Sequence, residues 1–370
     1  MKKLLFRLLK IGGVALLVLL IGLIAFIFFT GPKLPANTDT IIENVINSEL
    51  PELVKGESGY VISNNHKIWY ESITPKDSNK GSILLFMGMA SDGLMWPPIF
   101  IDKLVDSGYQ VIRFDYRGTG QSDWVEDWQQ KPYSIADLSK DAETILDTLN
   151  VSKVHLVGLS LGGMVAQEFA IENPDKTLTL TSIMSSGNIV DKELPEASKS
   201  IVFDFTKIGI KYGLFQNEKN TIKMMVAAKM ILRGDAQYDV DVKETAEQVL
   251  YNLRKRNGYN PNASRQHDSV AKLSVFSYEK LKELKIPTLV IHGLNDPLVS
   301  IEHSKKLASV ISNAKTKWFE NMGHDLPPNL IDPISQEIIK HIDGKNPNAG
   351  GEAWLSLLLC KSVAIAGISF

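Results

Sequence analysis

From residue 60 to residue 342 the chain alternates short, mostly apolar runs with longer stretches whose apolar positions recur every three or four residues. The runs lie at 82–87, 110–114, 154–157, 178–184, 287–292 and 315–319. Runs of this length and composition suit strands of a parallel sheet buried on both faces. Residues 60–63 and 67–72 flank Asn64-Asn65 and predict a hairpin. Ser134 followed by Asp137 resembles a capping box with Asp in place of Glu, and opens a helix to about residue 149. Residues 161–173 predict another helix, stopped by Pro174. Strand–helix alternation predicts an α/β sheet that binds ligands at the carboxyl ends of its strands.

Two regions break the alternation. Residues 187–279 contain no strand-like run and several helical ones, such as NTIKMMVAAKMILR and VKETAEQVLYNLRKR. An insertion of this size predicts a helical lid over the active edge of the sheet. At the other extreme, residues 11–30 carry no charge, and Lys2, Lys3, Arg7 and Lys10 precede them. About 20 apolar residues span a bilayer core, whereas a cleaved signal peptide has a shorter apolar region and a small-residue cleavage site. FIFFTGPKLP offers no such site, so the expectation is an uncleaved anchor at 1–32. The basic flank puts the N-terminus in the cytoplasm and the rest of the chain on the far side. A polar linker with a short helix is expected at 33–57 and the main domain at 58–343. Residues 344–370 form an apolar tail interrupted by Lys361 and short for a second span.

Composition narrows the chemistry. The 370 residues carry a net charge of −2, which gives no sign of a nucleic-acid partner. The single cysteine, Cys360, rules out an intrachain disulfide framework and reads as a small apolar residue. No Cys/His cluster has metal-site spacing.

The most informative joint is GLSLGGMVAQ, at residues 158–167, where a strand-like run turns into a helix-like one. An ordinary turn needs one glycine, not Gly158 and Gly162 bracketing a serine. The pair fits a strained strand-to-helix turn that presents the Ser160 hydroxyl near a helix N-terminus. Such a serine needs a base and an orienting acid, in the order Ser, acid, His. Asp296 follows the run PTLVIHG, and His324 follows KTKWFE. An oxyanion would be met by two backbone N–H groups, from Leu161 and from Met89 in MGMASDGLMWPP. Asp115 also ends a strand, but the glycines and Arg117 around it read as a structural turn. His155 is expected in the core, and His292 is expected to shape the acid loop. His267 and His303 are expected at the surface, and Asp325 as a solvated loop carboxylate.

With these motifs together, MGMASDGLMWPP, DYRGTGQSD, GLSLGG, HGLNDP and NMGHDLPP, the chain resembles the α/β-hydrolase superfamily over about residues 60–342. Within it the chain looks like the aclacinomycin-methylesterase-like branch. The resemblance implies a mostly parallel sheet flanked by helices, a Ser160–His324–Asp296 triad, Met89 and Leu161 as oxyanion donors, and no cofactor. The anchor and the tail depart from the soluble members, so a polyketide methyl ester is not carried over as substrate.

The expected function is a serine carboxylic-ester hydrolase working through an acyl-enzyme on a small, apolar or lipid-like ester. Amide, thioester or C–C hydrolysis in the same site is the nearest variant. A site for a substrate amine would need lid carboxylates. Glu244 and Glu247 are present, but a solvated helix face accounts for them. A catalytically dead binding protein on the same fold is the other class, against which the complete set of three residue types argues.

Overall fold

Eight strands among the described residues make up one sheet: β1 (Glu57–Ser63), β2 (His66–Ile73), β3 (Ser82–Phe86), β4 (Gln110–Phe114), β5 (Val154–Leu159), β6 (Thr177–Ile183), β7 (Thr288–Gly293) and β8 (Lys315–Phe319). They lie in the order β1-β2-β4-β3-β5-β6-β7-β8. The pairs β1–β2 and β2–β4 are antiparallel, and every other pair is parallel. This structure, a computed structural model, describes residues 2–77, 79–273, 278–312 and 314–344. The apolar tail expected from residue 344 and Cys360 lie outside the described residues, Gly344 excepted.

The hairpin β1–β2 turns at Asn64 (φ 45°) and Asn65 (φ 64°). Two successive positive φ values mark the primed turn whose twist matches that of the strands. In β3, Leu84 and Phe86 face one layer of the core while Ile83 and Leu85 face the other, as the two-residue period of a strand requires. Helices α4 (Ile135–Thr148) and α5 (Leu161–Glu172) cover the first face with Leu138, Ile145, Val165 and Phe169. The capping box at the start of α4 is present: Ser134 Oγ accepts from Asp137 N, and Asp137 Oδ2 accepts from Ser134 N at 2.8 Å. The second face is covered by α3 (Pro98–Asp106) and α12 (Ile331–Asp343) with Phe100, Leu104, Ile334 and Ile338. α11 (Ile301–Val310) crosses between β7 and β8.

Between β6 and β7 the chain leaves the sheet for a helical insertion, in which the described residues form five helices: α6 (Lys199–Gly213), α7 (Glu218–Arg233), α8 (Val242–Lys255), α9 (Ala263–Leu273) and α10 (Tyr278–Glu283). The helices have side-chain N-caps at Ser198, Asn217 and Asp241 for α6, α7 and α8. At the N-terminal end are α1 (Lys2–Phe29) and α2 (Thr38–Ile46). α2, in the segment expected as a linker, packs Ile42 and Val45 against Val226 of α7 and Val249 of α8. Within α1, Leu9–Ile27 is long and apolar enough to cross a membrane. The end of this stretch meets α6, where the Phe26 and Phe203 rings lie 6.2 Å apart and Lys207 Nζ sits over both.

Candidate active site

Ser160 occupies the joint between β5 and α5 with φ 54° and ψ −120°. A non-glycine residue there costs of order 1–3 kcal/mol and persists only where its surroundings enforce it. The surroundings do so. Ser160 N donates to Ile183 O at 2.8 Å, and Ser185 Oγ donates to Ser160 O at 2.7 Å. The bracketing glycines have a steric reason. A Cβ on Gly158 would overlap the Gly162 carbonyl, and one on Gly162 would overlap the Phe86 carbonyl.

The loops after β7 and β8 bring Asp296 and His324 to this serine. His324 Nε2 lies 2.9 Å from Ser160 Oγ, and its Nδ1 lies 2.6 Å from Asp296 Oδ2. The other carboxylate oxygen of Asp296 accepts from Leu298 N at 2.9 Å and Val299 N at 2.8 Å. His292 Nε2 approaches Oδ2 to 3.3 Å, while its Nδ1 lies 2.7 Å from Ser304 Oγ. Burial raises the Asp296 carboxyl, but His324 and His292 beside it pull harder and leave it well below the ordinary carboxylate range. An ionised Asp296 keeps the proton of His324 on Nδ1, which leaves Nε2 free to accept from the serine hydroxyl.

The oxyanion candidates flank Ser160. Leu161 opens α5, so its N–H has no acceptor within the helix. On the other side, Gly88 is so close to the elbow that a Cβ there would lie 3.7 Å from Ser160 Cβ. Met89 follows in a turn closed by Ser91 N donating to Gly88 O at 3.4 Å. The third residue of that turn, Ala90, has φ 57°.

Among the other candidates, Asp115 sits away from the imidazole. It accepts from Gly93 N and Gln121 N, each at 2.8 Å, and pairs with Arg256 at the end of α8. Burial pushes its carboxyl up to about 6 against the pull of Arg256. His155 is a core residue, 2.9 Å from Thr179 Oγ1. Asp325 is half-buried and accepts from Leu326 N at 2.8 Å. Glu244 is also half-buried, and burial raises its carboxyl.

Two histidines differ from expectation. His303 is buried between Ser186 Oγ (2.8 Å) and Pro195 O (3.0 Å). His267 is wholly buried and bonds the Gly88–Ser91 turn through Ala90 N at 3.0 Å. The signal for His267 was its spacing: Ala263, Gln266, His267, Val270 and Ala271 form the buried stripe of α9.

The helical insertion also touches the candidate base. His324 N donates to Leu232 O at 2.8 Å. A Cβ on the preceding Gly323 would overlap the carbonyls of Leu232 and Arg233. Gly234, which ends α7 with φ 60°, packs on the Asn295 carbonyl beside Asp296. Among the described residues no three His, Cys, Asp or Glu side chains cluster as metal ligands do.

A family model described as the alpha/beta hydrolase fold matches residues 81–328. The chain is 27% identical over 295 residues to rhodomycin D methylesterase DauP of Streptomyces sp. (strain C5), spanning 74% of this chain and 94% of that protein. It is 28% identical over 225 residues to 3-oxoadipate enol-lactonase 1 of Acinetobacter baylyi, spanning 60% of this chain and 74% of that protein. Among solved structures, a bacterial membrane phospholipase A has the same fold, with a TM-score of 0.56 at 18% identity. That match covers 92% of this chain and 99% of the other.

Proposed function

Because this chain belongs to the α/β-hydrolase family, we propose that it is a serine hydrolase that cleaves carboxylic esters through a Ser160–His324–Asp296 triad. It is an ester-acting hydrolase in the company of a methylesterase and an enol-lactonase. The observation that carries the triad is the hydrogen-bonded line from Asp296 through His324 to Ser160, at 2.6 and 2.9 Å.

Chemistry follows from that line. Ser160 Oγ attacks the ester carbonyl carbon as His324 Nε2 takes its proton, and Asp296 stabilises the imidazolium without taking the proton itself. The tetrahedral oxyanion is met by the N–H groups of Leu161 and Met89 in a site partly shielded from water, where such donors act most strongly. Collapse expels the alcohol, protonated by His324, and leaves an acyl-serine. Water, activated by the same histidine, then releases the acid.

In this reading residues 187–279 roof the site and select the acyl and alcohol groups, within a hydrolase domain at 58–343. Residues 1–32 anchor that domain, with the N-terminus cytoplasmic and the site on the far side of the membrane. The charge-free span and the four basic residues before it support that orientation. The contact of Phe26 with Phe203 keeps the roof beside the anchor, which favours apolar, lipid-like esters as substrates.

The test is turnover of p-nitrophenyl esters from acetate to palmitate by the full chain in detergent. Hydrolysis with a preference among acyl lengths supports the reading. No hydrolysis of any ester contradicts it.

A further inference from the structure

The side chain of His267 faces two backbone groups of opposite kind. Nδ1 lies 3.0 Å from Ala90 N, and Nε2 lies 3.3 Å from Arg117 O. A backbone amide is only a donor and a carbonyl only an acceptor, so the pair dictates the tautomer. Nδ1 is bare, and the proton sits on Nε2. The ring is enclosed edge-on by Tyr116 (5.7 Å) and Tyr133 (6.4 Å). Burial lowers its pKa from 6.5 to about 4, which keeps it neutral near pH 7.

Ala90 is the residue that needs holding. Its positive φ at the third position of the Gly88–Ser91 turn is the pattern of a type II turn, in which glycine is favoured at that place. An alanine there prefers the alternative with the Met89–Ala90 peptide turned over. That alternative takes the Ala90 N–H away from His267 and turns the Met89 carbonyl over with it.

We propose that His267 is a positioning residue for the oxyanion turn: by accepting the Ala90 N–H it holds the peptide that follows Met89, and with it the Gly88–Ser91 turn from which the Met89 N–H meets the substrate. The inference rests on the reading of Ser160 as nucleophile and Met89 as oxyanion donor. It also gives the helical insertion a second role. His267 belongs to α9, and Arg256 at the end of α8 pairs with Asp92 of the same loop at 3.2 Å. Both contacts tie the insertion to the loop that carries Met89.

Two substitutions of the full chain separate this role from plain packing. In His267→Asn the amide oxygen takes the place of Nδ1 and still accepts from Ala90 N. In His267→Gln the amide lies further out, at the place of Nε2, and keeps the bond to Arg117 O while losing Ala90. Misplacing one oxyanion donor typically costs about 10²-fold in kcat. The expected result is a kcat on a p-nitrophenyl ester about 10²-fold down in His267→Gln, with KM within a few-fold, and a His267→Asn enzyme within about tenfold of wild type. Equal kcat values, or a Gln variant closer to wild type than the Asn variant, overturn the proposal, because a packing role favours the longer side chain. Ser160→Ala in the same assay tells the two levels apart. If it is inactive while His267→Gln is fully active, only the positioning role fails. If Ser160→Ala is itself active, the function reading and the inference fail together.

Discussion

His324 donates its backbone N–H to the carbonyl of Leu232, 2.8 Å away at the end of α7. The proposed base is thus held by a helix of the insertion proposed to roof it. Gly323 and Gly234 allow the contact, each packed where a side chain would strike backbone atoms. A Gly323→Ala enzyme must move α7 or the base loop, and overpacking of this kind typically costs about 1–3 kcal/mol. Thermal melts and ester kinetics should show a lower Tm and a kcat reduced by at least tenfold. Wild-type values for both would mean that the clamp is slack.

The same contacts decide what a roof exchange does. Replacing residues 187–279 with the corresponding segment of another hydrolase while keeping Leu232, Arg233, Gly234, Arg256 and His267 should change acyl-chain preference and keep turnover. Replacing the segment without keeping them should lose turnover on every ester. Identical ester profiles for the first exchange would remove the roof from substrate selection.

Asp296→Asn should lower kcat by about 10⁴-fold, because the amide cannot hold the Nδ1–H tautomer of His324. Asp115→Asn should act on stability instead. Asp115 bonds two backbone N–H groups and Arg256 away from the imidazole, and removing the charge leaves Arg256 under-compensated in the interior. Urea titrations with kinetics on the folded fraction distinguish the two. Full activity in Asp296→Asn together with loss in a folded Asp115→Asn would reassign the acid.

His267 also predicts a pH effect on stability. Its folded pKa of about 4 lies below the unfolded 6.5, so between these values the unfolded chain binds a proton that the folded one refuses. Stability from this group is complete above pH 6.5 and is lost as pH falls towards 4, by about 1.4 kcal/mol per unit. Asp115, raised to about 6, works in the opposite direction between pH 3.8 and 6. The difference in urea midpoint between wild type and His267→Asn isolates the histidine. That difference should shrink as pH falls from 6.5 to 4, whereas a constant difference would mean that the ring is charged inside the protein.

Deleting residues 1–32 removes the apolar span and the Phe26–Phe203 contact but none of Met89, Ser160, Leu161, Asp296 and His324. Fractionation should find the shortened chain off the membrane, with kcat on soluble esters unchanged. Protease added to spheroplasts should digest the catalytic domain of the full chain. Protection until lysis would reverse the orientation.

Much of the fold was legible because its signals are local. The Val/Ile/Leu runs became the parallel strands, Asn64-Asn65 became the hairpin turn, and Ser134 with Asp137 became a capping box. Ser160, Asp296 and His324 each follow a strand, and a parallel sheet brings such ends together. The support of the site was not legible. Leu232 acts through a carbonyl, which no side-chain pattern records, and its partner lies some ninety residues along the chain. Arg256 is the last residue of the helical run VKETAEQVLYNLRKR, and its pairing with Asp92 and Asp115 is a tertiary contact that no local pattern records. For His267 residue type suggests the surface, whereas its place on the buried stripe of α9 is the better guide.

The central claim, that Ser160 is the nucleophile served by His324, is tested most directly by intact mass and peptide mapping after treatment with a fluorophosphonate. One adduct per chain is expected, on Ser160, with none in Ser160→Ala and labelling slowed by orders of magnitude in His324→Ala. An adduct on another residue, or a Ser160→Ala chain labelled as fast as wild type, would contradict it.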